Sequence, residues 1–65
     1  MKRLRQIRQA RNLSLRDLER LSGVDYSSIS KIETGDVEPR LNTIIKIAKA
    51  LNISLDELVE VATVH

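Results

Sequence analysis

Between Leu15 and Glu33 two short amphipathic runs flank a single glycine, and no alternating strand pattern competes with them. Ser14 precedes the first run and has Asp17 three residues on. This is a variant of the capping box, in which hydroxyl and carboxylate each satisfy a backbone donor of the first turn. A helix is therefore expected from about Leu15, with Leu15, Leu18 and Ser22 on one side at three- and four-residue spacing. Gly23 ends it, because glycine accepts the positive φ of a helix terminus. Asp25 suits the N-cap of a second helix whose inward stripe is Ile29, Ile32 and Glu33. Ser27, Ser30, Lys31 and Thr34 are left on the opposite face with Tyr26 at its edge, and each of these side chains can hydrogen bond.

Two helices joined in this way, over about residues 15–33, make a helix-turn-helix, whose second helix can dock in a groove of duplex DNA. The remaining sequence admits little beyond a small bundle around it. A chain of 65 residues is expected to form a single domain, 1–65, burying about 60% of its unfolded surface. That leaves room for a core but not for a roomy active site. There is no cysteine for a disulfide or thiolate metal site and no Phe or Trp, so the core must come from Leu, Ile, Val and Ala. Five helices are expected, at about Lys2 to Arg11, Leu15 to Ser22, Tyr26 to Glu33, Leu41 to Leu51 and Leu55 to Val61. The fourth carries an apolar stripe of Leu41, Ile44, Ile45, Ala48 and Leu51. Ser54 and Glu57 form a second capping box that starts the last.

Charge is unevenly placed. Residues 1–20 hold seven Lys or Arg against two acids, whereas residues 21–65 hold four against seven, within a net charge of +2. A basic end on a small domain favours a polyanionic partner, because neutralising phosphates releases condensed counterions. The plainer alternative is a solvated charged face. No apolar run approaches the ~20 residues that span a bilayer, and no apolar block follows the basic N-terminus. A cytoplasmic protein without a membrane partner is expected.

Further landmarks surround the motif: Leu4-Arg5-Gln6-Ile7-Arg8, Leu13-Ser14-Leu15, Gly23-Val24, Ile29-Ser30-Lys31-Ile32-Glu33, Gly35, Pro39, and Ile47 through Leu58. In this order and spacing, over about residues 2–59, the chain resembles the Cro and phage-repressor family of bacterial helix-turn-helix regulators. The resemblance implies an all-α, compact five-helix bundle and a bacterial or phage, nucleoid-associated DNA-binding protein. It also implies a repressor or other transcriptional regulator that acts by excluding polymerase or by contacting it.

Individual roles follow from the same resemblance. Leu4, Ile7, Arg8 and Arg11 share the inward face of the first helix, so the opposite charges of Arg8 and Glu33 both lie on core faces and need partners. The family places a largely buried arginine–carboxylate bridge at these two positions. Its base-reading positions correspond to Tyr26, Ser27 and Lys31, with Ser30 nearby. Lys31 can donate to guanine O6 and N7, whereas the serines can pair with several bases. Backbone phosphates are expected at the helix start around Ser14 and Leu15 and at Thr34 and Arg40. Arg16 and Arg20 are read as solvated surface charges. The family's habit of binding pseudo-palindromic operators implies a homodimer on double-stranded DNA.

Three departures bear on that reading. Leu15 replaces a glutamine that holds a phosphate in many relatives. Glu19 replaces a small residue between the motif helices and must tilt outward or find a cation such as Arg8. The loop Gly35-Asp36-Val37-Glu38-Pro39 carries two acids where DNA backbone often passes, so weaker binding is expected. The acidic loop, the acidic C-terminal half and Leu15 support an alternative, a protein-binding module such as an antitoxin-like protein that holds a partner protein. Val59 to His65 keeps apolar residues, read either as a frayed helix end or as a self-association patch. An enzyme is not expected, since the single histidine is His65 and neither glycine forms a phosphate-cradling loop. Asp56, Glu57 and Glu60 are explained by capping and the helix dipole, and no cofactor or metal is expected.

Overall fold

The computed structural model describes residues 1–58, which form helices α1 (Lys2–Ala10), α2 (Leu15–Ser22), α3 (Tyr26–Thr34), α4 (Leu41–Leu51) and α5 (Leu55–Leu58). The first helix ends one residue before the expected Arg11, and α3 runs one residue past Glu33. The expected extension of α5 to Val61, and the readings of Val59 to His65, fall outside the described residues. No described helix is long and apolar enough to cross a membrane.

Local chemistry fixes the boundaries. At the start of α2, Asp17 N donates to Ser14 Oγ at 2.9 Å, and Ser14 N donates to Asp17 Oδ2 at 2.9 Å. Its far end closes on Gly23, at φ 79°, whose amide donates to Glu19 O at 2.8 Å. The second capping box forms too, with Ser54 N donating to Glu57 Oε1 at 3.1 Å and Glu57 N to Ser54 Oγ at 3.3 Å. A left-handed Asn52, at φ 57°, ends α4 in the role that glycine plays after α2 and α3.

Helix α2 packs on α3 and α4, α1 packs on α3 and α5, and α4 packs on α5. Leu4, Leu18, Ile29, Ile32, Ile47, Ala48, Leu51 and Leu58 form the buried core, with Ile7, Leu13, Leu15, Val24, Ile44 and Ile53 packed around it. Two expectations need correction. Leu41 is 64% exposed, while Ile47, left out of the expected stripe, is 1% exposed. Successive helical residues turn by about 100°, so a stripe centred on Ile44 and Leu51 admits Ile47 and moves Leu41 and Ile45 to one edge. Arg11 is exposed rather than inward, but its Nη1 donates to Leu51 O at the end of α4. A cation is well placed there, because the last carbonyls of a helix lack internal partners.

Replacing Ser14 by alanine should cost about 1 kcal/mol of folding stability in urea denaturation. The Asp17 carboxyl is held below its ordinary range, first by the Ser14 backbone N–H, then by the Ser14 hydroxyl, with Arg20 adding a smaller attraction. A carboxyl lowered on folding stabilises above its unfolded value, about 3.9, and that contribution is lost as pH falls through the folded value. Stability should therefore drop when urea denaturation is repeated below about pH 4, and drop less in D17N.

Candidate nucleic-acid interface

The candidate surface is built on α3, whose two faces differ in burial. Ile29, Ile32 and Glu33 are buried, whereas Tyr26, Ser27, Ser28, Lys31 and Thr34 are exposed and Ser30 is half-buried. Asp25 caps the helix, its Oδ2 accepting from Ser27 N at 3.1 Å and Ser28 N at 3.3 Å, and also from Ser27 Oγ. These bonds hold the Asp25 carboxyl below its ordinary value, the Ser27 hydroxyl having the largest effect. Near the other end, Lys31 O accepts from Thr34 Oγ1 at 3.1 Å and from Asp36 N at 2.9 Å. The acidic loop is thereby tied to the end of α3. Among the described residues no carboxylate pairs with the Lys31 ammonium.

Behind this face, Arg8 Nε donates to Glu33 Oε2 at 2.7 Å and Arg8 Nη2 to Glu33 Oε1 at 3.1 Å. The remaining arm, Nη1, donates to Leu13 O at 2.8 Å. One guanidinium thus joins α1, the approach to α2 and the last turn of α3. The side chains of Arg8 and Glu33 are only 11% and 5% exposed. Hydrogen bonding to Glu33 raises the Arg8 pKa above its ordinary value, against the opposing effect of burial. Paired planar groups of this kind give geometric definition as well as attraction.

The other expected residues are distributed as follows. Ser14 is the N-cap of α2 and spends its hydroxyl on Asp17 N, so the backbone amides that follow precede the helical ladder. Leu15 packs its side chain against the core and leaves only its amide for an external acceptor. Arg40 is exposed at the N-cap of α4, in a different element from Thr34. Glu19 does not pair with Arg8, whose donors go to Glu33 and Leu13. It remains half-buried on α2 without an ion pair among the described residues.

Arg16 was read from sequence as a solvated charge, yet its guanidinium carbon lies 4.2 Å from the centre of the Tyr26 ring. A cation over an aromatic face is attracted by the ring quadrupole. This contact brings a positive charge from α2 to the leading end of α3. No local pattern announces it, because Arg16 and Tyr26 meet only once the two helices cross.

Comparison with known proteins agrees with this architecture. A family model described as helix-turn-helix matches residues 4–58. The chain is 45% identical over 56 residues to the HTH-type transcriptional regulator PuuR of Escherichia coli, a match covering 86% of this chain and 30% of that protein. It is 33% identical over 58 residues to the HTH-type transcriptional regulator DdrOP3 of Deinococcus deserti, covering 89% of this chain and 45% of that protein. Among solved structures, the restriction-modification controller protein C.AhdI from Aeromonas hydrophila superposes with a TM-score of 0.85 at 41% identity. That match covers 89% of this chain and 88% of C.AhdI. The chain belongs to the helix-turn-helix family of transcriptional regulators and has its DNA-binding fold. It spans less than half the length of these curated relatives.

Replacing Arg8 by alanine strands the buried Glu33 and should destabilise the domain by about 3 to 5 kcal/mol. The paired change of Arg8 to methionine and Glu33 to leucine should cost less than the single change, as read by thermal and urea denaturation.

Proposed function

We propose that residues 1–65 act as one domain that binds duplex DNA sequence-selectively, with α3 in the major groove, and regulate transcription by occupying an operator. The observation that carries this reading is the division of α3: a buried, bridged inner face and an outer face of exposed or half-buried side chains able to hydrogen bond. Tyr26, Ser27, Ser30 and Lys31 read bases, Lys31 by donating to guanine O6 and N7. The backbone at Ser14 and Leu15, with Thr34 and Arg40, holds phosphates and sets the register. Arg16, placed over Tyr26, adds a charge to that set. The Arg8–Glu33 bridge fixes the angle at which α3 is presented.

The domain works as a homodimer on a pseudo-palindromic operator, with half-sites about 34 to 36 Å apart. Repression by steric exclusion of polymerase is the simplest action for so small a domain, in the cytoplasm of a bacterium or phage-infected cell. The likeness to a controller protein over almost the whole of both chains supports a regulatory role. A second reading, a module that holds a partner protein, is favoured by one feature: exposed Asp36 and Glu38 in the loop bonded to the end of α3.

The deciding experiment is selection from randomised duplexes at physiological salt, followed by sequencing of the bound fraction. Enrichment of a two-fold-symmetric site supports the operator reading, whereas no enrichment from folded protein transfers the assignment to a protein-binding module. On the selected site, K31A should relax discrimination at one base pair per half-site by about 1 to 3 kcal/mol. Affinity should fall steeply with salt, with a logarithmic slope near −0.9 for each phosphate contact.

A further inference from the structure

We infer that Ser27 and Asp25 together form a reader for exocyclic base amines, which selects adenine or cytosine and rejects guanine and thymine at the base facing the start of α3. The inference rests on the DNA-binding reading above and deepens it by assigning a chemical code to one position.

The position of one hydrogen decides what Ser27 can recognise. A serine hydroxyl ordinarily donates or accepts, and for that reason specifies little. Here Ser27 Oγ bonds Asp25 Oδ2. The carboxylate is ionised, being held below its ordinary range by this same contact and by the Ser27 and Ser28 amides. An ionised carboxylate has no hydrogen to give, so the hydrogen in the contact belongs to Ser27 and is already committed. Ser27 is exposed and can present only lone pairs to a ligand. All three bonds to Asp25 fall on Oδ2, so Oδ1 adds acceptor capacity beside it.

A surface patch that only accepts has a definite complement in the major groove. Adenine N6 and cytosine N4 carry hydrogens, whereas guanine presents N7 and O6 and thymine presents O4, all acceptors. Facing either of the latter pair, Ser27 and Asp25 would oppose lone pairs to lone pairs. Nearby Arg16 attracts the Asp25 carboxylate and offsets the repulsion between that acid and the phosphates. The same patch without Asp25 would regain a rotatable hydroxyl and lose its preference.

The test uses the full chain and its selected operator half-site, with each base pair changed in turn and binding followed by fluorescence anisotropy. One position should require adenine or cytosine by about tenfold over guanine and thymine. Substituting purine for that adenine, or pyrimidin-2-one for that cytosine, deletes only the amine and should cost about the same factor. S27A should flatten the preference at this position. D25S keeps an oxygen for the first-turn amides but frees the Ser27 hydrogen, and should readmit guanine or thymine. Selection of guanine or thymine at the position sensitive to S27A would overturn the inference, as would an unchanged preference in D25S. Absence of any selected site would overturn the DNA-binding reading itself, a result distinct from either.

Discussion

A single guanidinium holds the working geometry of this domain together. Arg8 reaches from α1 to the carboxylate of Glu33 on α3 and to the carbonyl of Leu13 before α2, so three segments distant in sequence meet at one planar group. The domain is small and its apolar core is built from aliphatic side chains alone. A core of that kind sets which face of each helix is buried by shape alone, without directional polar bonds. The fork adds directional bonds, and with buried Ile29 and Ile32 it defines the inner face of α3.

Much of this was legible because the signals are local. The Ser14–Asp17 and Ser54–Glu57 boxes, Gly23 and Asp25 act within three or four residues, so sequence spacing states their geometry directly. The pairing of Arg8 with Glu33 was accessible for another reason: two opposite charges on inward faces demand each other, and the family resemblance marks the same positions. Legibility failed where the answer depended on how helices cross. The rotation of α4 that buries Ile47 and exposes Leu41 is set by its neighbours rather than by its own pattern. The stacking of Arg16 on Tyr26 is likewise a property of the α2–α3 crossing. Asn52 gives no such signal, because asparagine reads as an ordinary polar residue until its left-handed backbone is seen.

Electrostatics also reads differently in three dimensions. The N-terminal excess of positive charge is partly consumed internally, with Arg8 spent on Glu33, Arg11 on the end of α4, and Arg3 on the Glu57 carbonyl at 3.0 Å. The cations that remain for an outside partner are fewer than the count in the sequence suggests. Arg16 gains weight accordingly, since it is exposed and stands over Tyr26 at the start of α3.

The separation of inner and outer residues on α3 bears on how such a protein acquires new targets. Tyr26, Lys31 and Thr34 present side chains that are exposed and outside the core, so under the proposed function drift at these positions alters what is recognised while sparing the buried core. Asp25 is the exception, because one carboxylate both starts the helix and commits the Ser27 hydrogen. Retargeting that passes through Asp25 must find a replacement that still caps. Under the proposed function, lineages descending from this chain should therefore change Tyr26, Lys31 and Thr34 before Asp25.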